Sequence, residues 1–444
     1  MALLAGWAWV VLMLAVGAAV LLGRRLVLDS WAGGALPQAC VAIVGLVAIT
    51  HAAGLLPAPD RYLAMLYALC AAAFIGALGL CLMAINSRKH AVWLLAMLVL
   101  SGVLQAVLGV ALEAAGAEYL FFYTDMKHMG RISGSFANPD HLAGYMQLCL
   151  AAGIGLLLSQ MGGEDHRGGG LKARLAGLLA FVMSRKMVLR VVMVIMVVAL
   201  VMTHSRAGNV AFFTGLLGTA LLVAAVSMPL RRPALWIAGT MIVIDIIIIG
   251  QWVGLDTVVN RLKETAQATL VDATDPSQFE GGELPPRKEE SLQQRLEVPR
   301  LSLPLVAEAP FFGHGAGNYQ WVFPRIKPPG FPHYWDHTHN DYIEIAIDVG
   351  LVGLGALLAF ALTTARRALK FLRHPHSRLT RGVGAAALMA LCCMAIHAVV
   401  DFNLQIPANA LTLTVLLALV WAIPLDGFAP GRTNGTRRDA AGER

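Results

Sequence analysis

One pattern recurs along almost the whole chain: a run of about twenty apolar residues, a short polar or basic break, then another apolar run. Nothing else limits the fold so severely. A bilayer core of about 30 Å offers the backbone no water, so a crossing segment must satisfy its own N–H and C=O groups, as a helix of about 20 residues does. The runs fall roughly at 3–22, 36–56, 61–85, 91–112, 141–160, 187–203, 207–228, 234–253, 342–362, 382–400 and 408–424. A further apolar piece at 171–184, bracketed by Lys172, Arg174, Arg185 and Lys186, is either a twelfth short span or a helix in the interface. Composition agrees, with 57% of residues hydrophobic and 14% charged. The period-two alternation of membrane barrels is absent. The expected fold is an all-α polytopic integral membrane protein with about 11–12 transmembrane helices and one large loop.

A net charge of +7 raises the question of nucleic acid, but the placement of the charge answers it. Arg24-Arg25, Arg88-Lys89, Arg167 to Arg174, Arg231-Arg232, the run from Arg366 to Arg381 and the tail with Arg432, Arg437, Arg438 and Arg444 all sit in breaks on one expected side. That is the positive-inside pattern of a cytoplasmic face and no nucleic-acid patch. The six cysteines lie in or beside apolar runs, with neither metal-ligand spacing nor a disulfide framework. The first run lacks a basic leader and a clear cleavage site, so it reads as a retained span. The chain then divides into N-terminal transmembrane helices (1–253), a large loop (254–341), C-terminal transmembrane helices (342–424) and a cytoplasmic tail (425–444). Within the loop, "VDATDPSQFEGGELPPRKEE" reads as a flap, and the flanks "VVNRLKETAQATL" and "RLSLPLVAEA" as interfacial helices.

The residues able to carry chemistry gather opposite the basic breaks. They lie in "RISGSFANPDHLAGY" (131–145), "THSRAGN" (203–209), "QQRLEVPR" (293–300), "APFFGHGAGNY" (309–319) and "DHTHND" (336–341), with "DFNLQIPAN" on the same side. A transporter places its ionisable groups near mid-bilayer, and here Asp245 alone lies deep in a run, as a structural acid or a proton relay. Arg206 is either a snorkelling helix-end arginine or an anion clamp, since a guanidinium stays charged at a low-dielectric boundary and grips phosphate with a planar fork. Arg295 and Arg300 are loop candidates for the same role, or simply solvated. His337 and His339 share a side only if the segment is extended. No third ligand with recognised spacing accompanies them, although Asp336 and His333 lie close in sequence, so a general base ranks above a metal site, with a purely structural, interfacial histidine as the other reading.

These motifs resemble a family. His339-Asn340, nine residues, then Gly350-Leu351-Val352-Gly353 is similar to the H-N-x9-G-x-x-G signature of the O-antigen ligase and polymerase superfamily, which includes protein O-oligosaccharyltransferases. "SGSFANPDHLAGY" resembles its S-G-x-F-x-N-P-N-x-x-A-x-Y stretch, with Asp140 where Asn is usual. "THSRAG" resembles the S-R-G turn, with Ala207 for Gly, and "RLEVPRLSLPLVAEAPFFGHGAGNY" the R-x15-P-x-x-G-x-G segment, with fourteen residues between Arg295 and Pro310 here and Pro299 where Trp is usual. The four occur in the family's order between residues 131 and 353.

The resemblance implies a glycosyltransferase of the bacterial inner membrane with its active site facing the periplasm. The donor is a glycan on undecaprenyl diphosphate. In the ligases the acceptor is a sugar hydroxyl of the lipid A core, and membrane lipids surround both. The family works without metal, so neither cofactor nor metal is expected. His339 is then the candidate base and Arg206 and Arg295 the cations for the leaving diphosphate. His337, Asn340, Asp341, Arg300, Arg131, Asn138 and His141 are candidate substrate-binding residues. An O-antigen ligase is the first expectation, a polymerase with a lipid-linked acceptor the second, and a protein O-oligosaccharyltransferase the third. A flippase of lipid-linked sugars, from a different class, explains the helices but not the polar motifs on one face.

Overall fold

A computed structural model describes residues 38–116, 130–161, 185–248, 292–329, 331, 334–374, 377–425 and 428. The expected span at 3–22, the piece at 171–184, the flap, "VVNRLKETAQATL" and His333 lie outside the described residues. Among the described residues there are twelve α-helices and no strand. They are α1 (Gln38–Gly54), α2 (Arg61–Ala84), α3 (Arg88–Ala114), α4 (Pro139–Gln160), α5 (Arg185–Met202), α6 (Arg206–Val226), α7 (Arg231–Ile248), α8 (Leu292–Glu308), α9 (Tyr319–Val322), α10 (Asp341–Leu372), α11 (Arg378–His397) and α12 (Pro407–Ala422).

Six of them, α2, α3, α4, α6, α10 and α11, are long and apolar enough to cross a membrane, and α1 and α12 contribute shorter apolar helices. In α5 and α7, each 18 residues long, the first turn carries paired basic residues, Arg185-Lys186 and Arg231-Arg232. Outward faces carry large exposed apolar side chains such as Trp93, Leu104, Leu221 and Leu358, which a bilayer would cover. The protein is a multi-pass membrane protein.

Helix starts are written in the sequence. Asp60, Ser87, Asn138, Ser205, Asn340 and Ser377 each accept a backbone N–H from the first turn of the helix that follows. Such caps satisfy donors that the helix itself leaves open. The innermost helix is α4, with 94% of its apolar stretch buried. It packs against α11, α3, α5 and α12. Close approach to α11 needs glycine on both sides: a Cβ on Gly155 would sit 2.6 Å from the Gly382 carbonyl oxygen.

The signature glycine Gly350 breaks α10 in two. Its φ is +74° and ψ 175°, and a Cβ there would collide with the Phe311 carbonyl. The kink interrupts the helical ladder, and the loop after α8 repairs it. Leu351 N–H donates to Pro310 O (2.7 Å), while His314 and Gly315 N–H donate to Ile347 O (2.7 Å) and Asp348 O (3.0 Å). The glycine signature and the "APFFGHGAGNY" segment are thus two halves of one joint. Asn318 then ties the loop to the start of α2, accepting from Asp60 N–H at 2.7 Å.

A second, smaller core fixes α8 against α10. Val298, Leu305, Tyr319, Val322, Phe323, Trp335 and Ile347 are buried together. This packing carries Arg295 to the end of the bundle where α4, α6 and α10 begin and α11 finishes.

Candidate active site

Asn138 caps α4 through Asp140 N–H (2.8 Å), Pro139 opens the helix, and Asp140 is thereby set in its first turn. An acid is favoured there by the positive end of the helix dipole. Its two oxygens face two arginines: Arg131 Nη2 donates to Oδ1 at 2.9 Å and Arg295 Nη2 to Oδ2 at 3.1 Å. Arg131 also donates through Nε to Thr203 O at 2.9 Å, and Ile132 N–H to Met202 O at 3.1 Å, so the 131–140 stretch is stitched to the "THSRAG" turn.

That turn places Arg206 as the first residue of α6, with its side chain exposed. Before it, His204 takes φ +52° and Ser205 caps the helix by accepting from Gly208 N–H at 3.1 Å. The Ser205 hydroxyl also hydrogen-bonds the Asp140 carboxylate. Gly208 lies so close to α4 that an added Cβ would stand 2.7 Å from Ala143 Cβ. The helix starts bearing Arg206 and Asp140 are therefore locked side by side.

The "DHTHND" segment meets them from α10. Asn340 caps that helix, accepting from Ile343 N–H at 3.0 Å, and its amide donates to Val399 O at 2.8 Å. Asp341, fully buried, accepts from Leu404 N–H at 2.9 Å. Both side chains thus join α10 to the loop after α11. His339 sits between them and Trp335 in a left-handed conformation, φ +55°, uncommon for a residue with a Cβ and costing on the order of 1–3 kcal/mol.

Phe402 is the hub of the histidines. His337 stacks flat on its ring, with centroids 3.9 Å apart and 11° between planes. His339 meets the ring edge-on at 5.0 Å and His141 at 4.8 Å. Asp401, beside Phe402 and completely buried, holds Oδ1 3.8 Å from His339 Nδ1 and Oδ2 3.5 Å from His397 Nε2. Its oxygens also accept Phe402 N–H (2.9 Å) and Asn403 Nδ2 (3.2 Å). Burial works against charge on Asp401. The hydrogen bond and charge of His397, with His141 and Arg295 in electrostatic reach, outweigh burial and hold its carboxyl well below the usual carboxylate range.

His337 has a different partner. Its Nδ1 lies 2.5 Å from Glu344 Oε1. Burial disfavours the imidazolium, but the Glu344 carboxylate, helped by Asp336, lifts its pKa to about 9. The pairing thus favours the charged form of this ring, which has no lone pair to accept a proton.

The structure brings His141, His337 and His339 around Phe402, and Arg131 and Arg295 around Asp140, with Asp140 and His141 adjacent on α4. Arg206 stands at the rim. Arg300 is not with them, lying exposed on an outer face of α8 beside Leu296 and Pro304. Asp401, Phe402, His397 and Glu344 were not singled out by sequence reasoning. The one available signal was the position of "DFNLQIPAN" on the polar side. Among the described residues no group of three or more His, Cys, Asp or Glu is arranged to hold a metal ion.

The O-antigen ligase family model matches residues 191–358. No curated protein matches the chain. The matched region contains Arg206, Arg295, His337, His339 and the Gly350 joint. Asp140 and Asp401, which face the arginines and histidines, come from helices and loops on either side of it.

Proposed function

We propose that this protein, whose residues 191–358 match the O-antigen ligase family model, transfers O-antigen glycan from undecaprenyl diphosphate to a sugar hydroxyl of the lipid A core. The reaction takes place at the periplasmic face of the inner membrane. The observation that carries this reading is the convergence of His339 and Arg295 at one end of the bundle, joined through Asp140, His141 and Phe402. Basic residues Arg88, Arg231, Arg366 and Arg378 lie at the opposite end, which by the positive-inside rule is cytoplasmic.

In this mechanism His339 is the general base. The acceptor hydroxyl gives its proton to the imidazole while its oxygen attacks the anomeric carbon. The bond from that carbon to the diphosphate oxygen breaks, and its electron pair leaves with the phosphate. A single attack opposite the leaving group inverts the anomeric centre. Asp401, 3.8 Å from Nδ1, stabilises the imidazolium that forms. Negative charge develops on the diphosphate, and fixed cations there stabilise the transition state more than the ground state. Arg295 and Arg206 supply them, Arg131 holding Asp140 so that Arg295 keeps its place. Asn340, Asp341 and Asn138 act as positioning residues, through the helix caps and the turn they fix. His141 lines the histidine cluster. Arg300, turned to the outer face of α8, has no part in the step.

The deciding experiment reconstitutes the full chain with glycosylated undecaprenyl diphosphate and two acceptors, rough lipopolysaccharide and free lipid-linked glycan. Transfer to lipopolysaccharide is expected. Transfer only to lipid-linked glycan would make the protein a polymerase. Glycan crossing the bilayer with transfer to neither would overturn the enzyme reading in favour of transport.

A further inference from the structure

His337 and His339 are two residues apart and both touch Phe402, yet their surroundings assign them different work. Glu344 makes the difference. Its side chain, 2% exposed, holds Oε1 2.5 Å from His337 Nδ1, while Oε2 accepts Thr338 N–H (2.8 Å) and lies 3.1 Å from the Thr338 hydroxyl, which also reaches Asn340 O at 2.8 Å. A buried carboxylate is stabilised by a cation set against it, and the ionisable base in contact with Glu344 is His337. Asp341, Glu344 and Asp348 are spaced three and four residues apart on α10, and all three are buried.

The groups facing His337 can be named element by element. Its own segment supplies Asp336 and His339, α10 supplies Asp341, Glu344 and Asp348, and α4 supplies His141, while Asp401 in the loop after α11 faces His339 and His397. The flat face of Phe402 then fixes the ring plane, an arrangement that also favours a cation. With Nδ1 committed to Glu344, the remaining N–H of the ring is Nε2–H, and the side chain keeps 19% of its surface open.

We propose that Glu344 is a positioning residue that keeps His337 as a fixed imidazolium, whose Nε2–H binds an oxygen of the donor's diphosphate. This inference rests on the proposed glycosyl transfer for the identity of the anion. The two histidines then divide the chemistry between them. His339 takes the acceptor's proton, while His337 holds charge and never accepts one.

The test uses full-length protein in nanodiscs and undecaprenyl diphosphate without glycan as the probe, with binding followed from pH 7.5 to 10. In this window arginines stay charged and an unperturbed histidine is already neutral, so a step that H337Q abolishes reports a raised imidazole. Wild type is expected to lose about tenfold in affinity as pH rises through about 9. H337Q should bind about tenfold more weakly at pH 7.5 and show no step. E344Q should resemble H337Q, because His337 without its carboxylate is neutral across the window. E344D should recover part of the step, at lower pH. An E344Q profile that superimposes on wild type, or an H337Q variant that binds like wild type, overturns the proposal. Should E344Q not fold, H337Q and E344D decide the matter in the same way. Wild type that shows the step but transfers no glycan to any acceptor would overturn the transferase reading and leave the Glu344–His337 pair standing.

Discussion

Arg295 on α8 and Asp140 on α4 are 155 residues apart in sequence and 3.1 Å apart in the fold. This ion pair fastens α8 to the innermost helix, α4, and Arg131 shares the same carboxylate. Removing the carboxyl leaves two half-buried guanidinium groups facing each other. D140A should therefore lower the melting temperature in detergent, and it should cut transfer at least about tenfold, since breaking a buried pair typically costs about 3–5 kcal/mol and partial exposure reduces that. D140N puts the residue usual in the resembling family there, but it keeps only one acceptor oxygen, loses the charge and turns an N–H2 toward one of the two arginines, so it should also lose stability and transfer, by less than D140A. Wild-type melting and transfer in both variants would remove the pairing argument.

Arg206 and Arg295 differ in setting, the first exposed at the start of α6 and the second half-buried against Asp140. If both grip phosphate oxygens with the planar fork, Lys should not replace them. R206K and R295K are each expected to lose about tenfold or more in kcat/KM for the glycosylated donor. For R206K with wild-type kinetics, the arginine would be a headgroup anchor only.

Helix positions were largely legible in the sequence, because hydropathy and caps act locally. The run read as 207–228 is the helix Arg206–Val226, and 141–160 is Pro139–Gln160. The run read as 342–362 shows where the rule stops. The helix continues to Leu372, through residues too basic for lipid, because Arg367 donates to Val420 O (2.7 Å) and Ile423 O (2.9 Å) at the end of α12. The candidate site was legible only where a motif marked a residue, as at His339, Arg206 and Arg295. In the sequence Glu344 is one of three acids, with Asp341 and Asp348, along a helix, and Asp401 and Phe402 belong to a turn. Their chemistry arises when α10 and α11 bring them to the histidines, which no local pattern encodes. Arg300 shows the converse: five residues beyond Arg295, it points to another side of α8.

Gly350 should tolerate no side chain. G350A places a Cβ at a positive φ and against the Phe311 carbonyl, while the α10 kink is bonded to the 310–315 loop on both sides. Backbone strain of this kind costs on the order of 1–3 kcal/mol before any clash is added. G350A is expected to melt well below wild type and to lose transfer. Gly355, which has nothing within 4 Å of an added Cβ, is the control, and G355A should be close to neutral.

His337 also makes stability depend on pH. Its folded pKa, about 9, lies above the ordinary histidine value, so the folded state binds the proton more tightly than the unfolded state. The resulting stabilisation is fully present below pH 6.5 and is lost as pH rises from there through about 9. Its upper limit is about 3 kcal/mol, because each tenfold gain in proton affinity on folding contributes about 1.36 kcal/mol. Melting curves should fall across that window in wild type and stay nearly level in H337Q. A wild-type melting temperature that does not change between neutral pH and the raised histidine pKa would contradict the Glu344–His337 pairing.

His339 carries the sharpest prediction. A positioned base contributes about 10²–10⁴-fold, so H339A and H339Q should both lose transfer by that order. Neither should lose undecaprenyl diphosphate binding, because the arginines around Asp140 remain. The split separates a base from a phosphate ligand: loss in kcat with binding retained marks the first, and loss in binding the second. Asp401 should follow its partner. D401N leaves the Phe402 backbone contact possible but removes the charge 3.8 Å from Nδ1, so it should lower kcat with donor binding unchanged. If H339Q retains wild-type turnover, the proton must go elsewhere. His337, bound to Glu344 and protonated, is unable to take it, and the general-base mechanism would have to be abandoned.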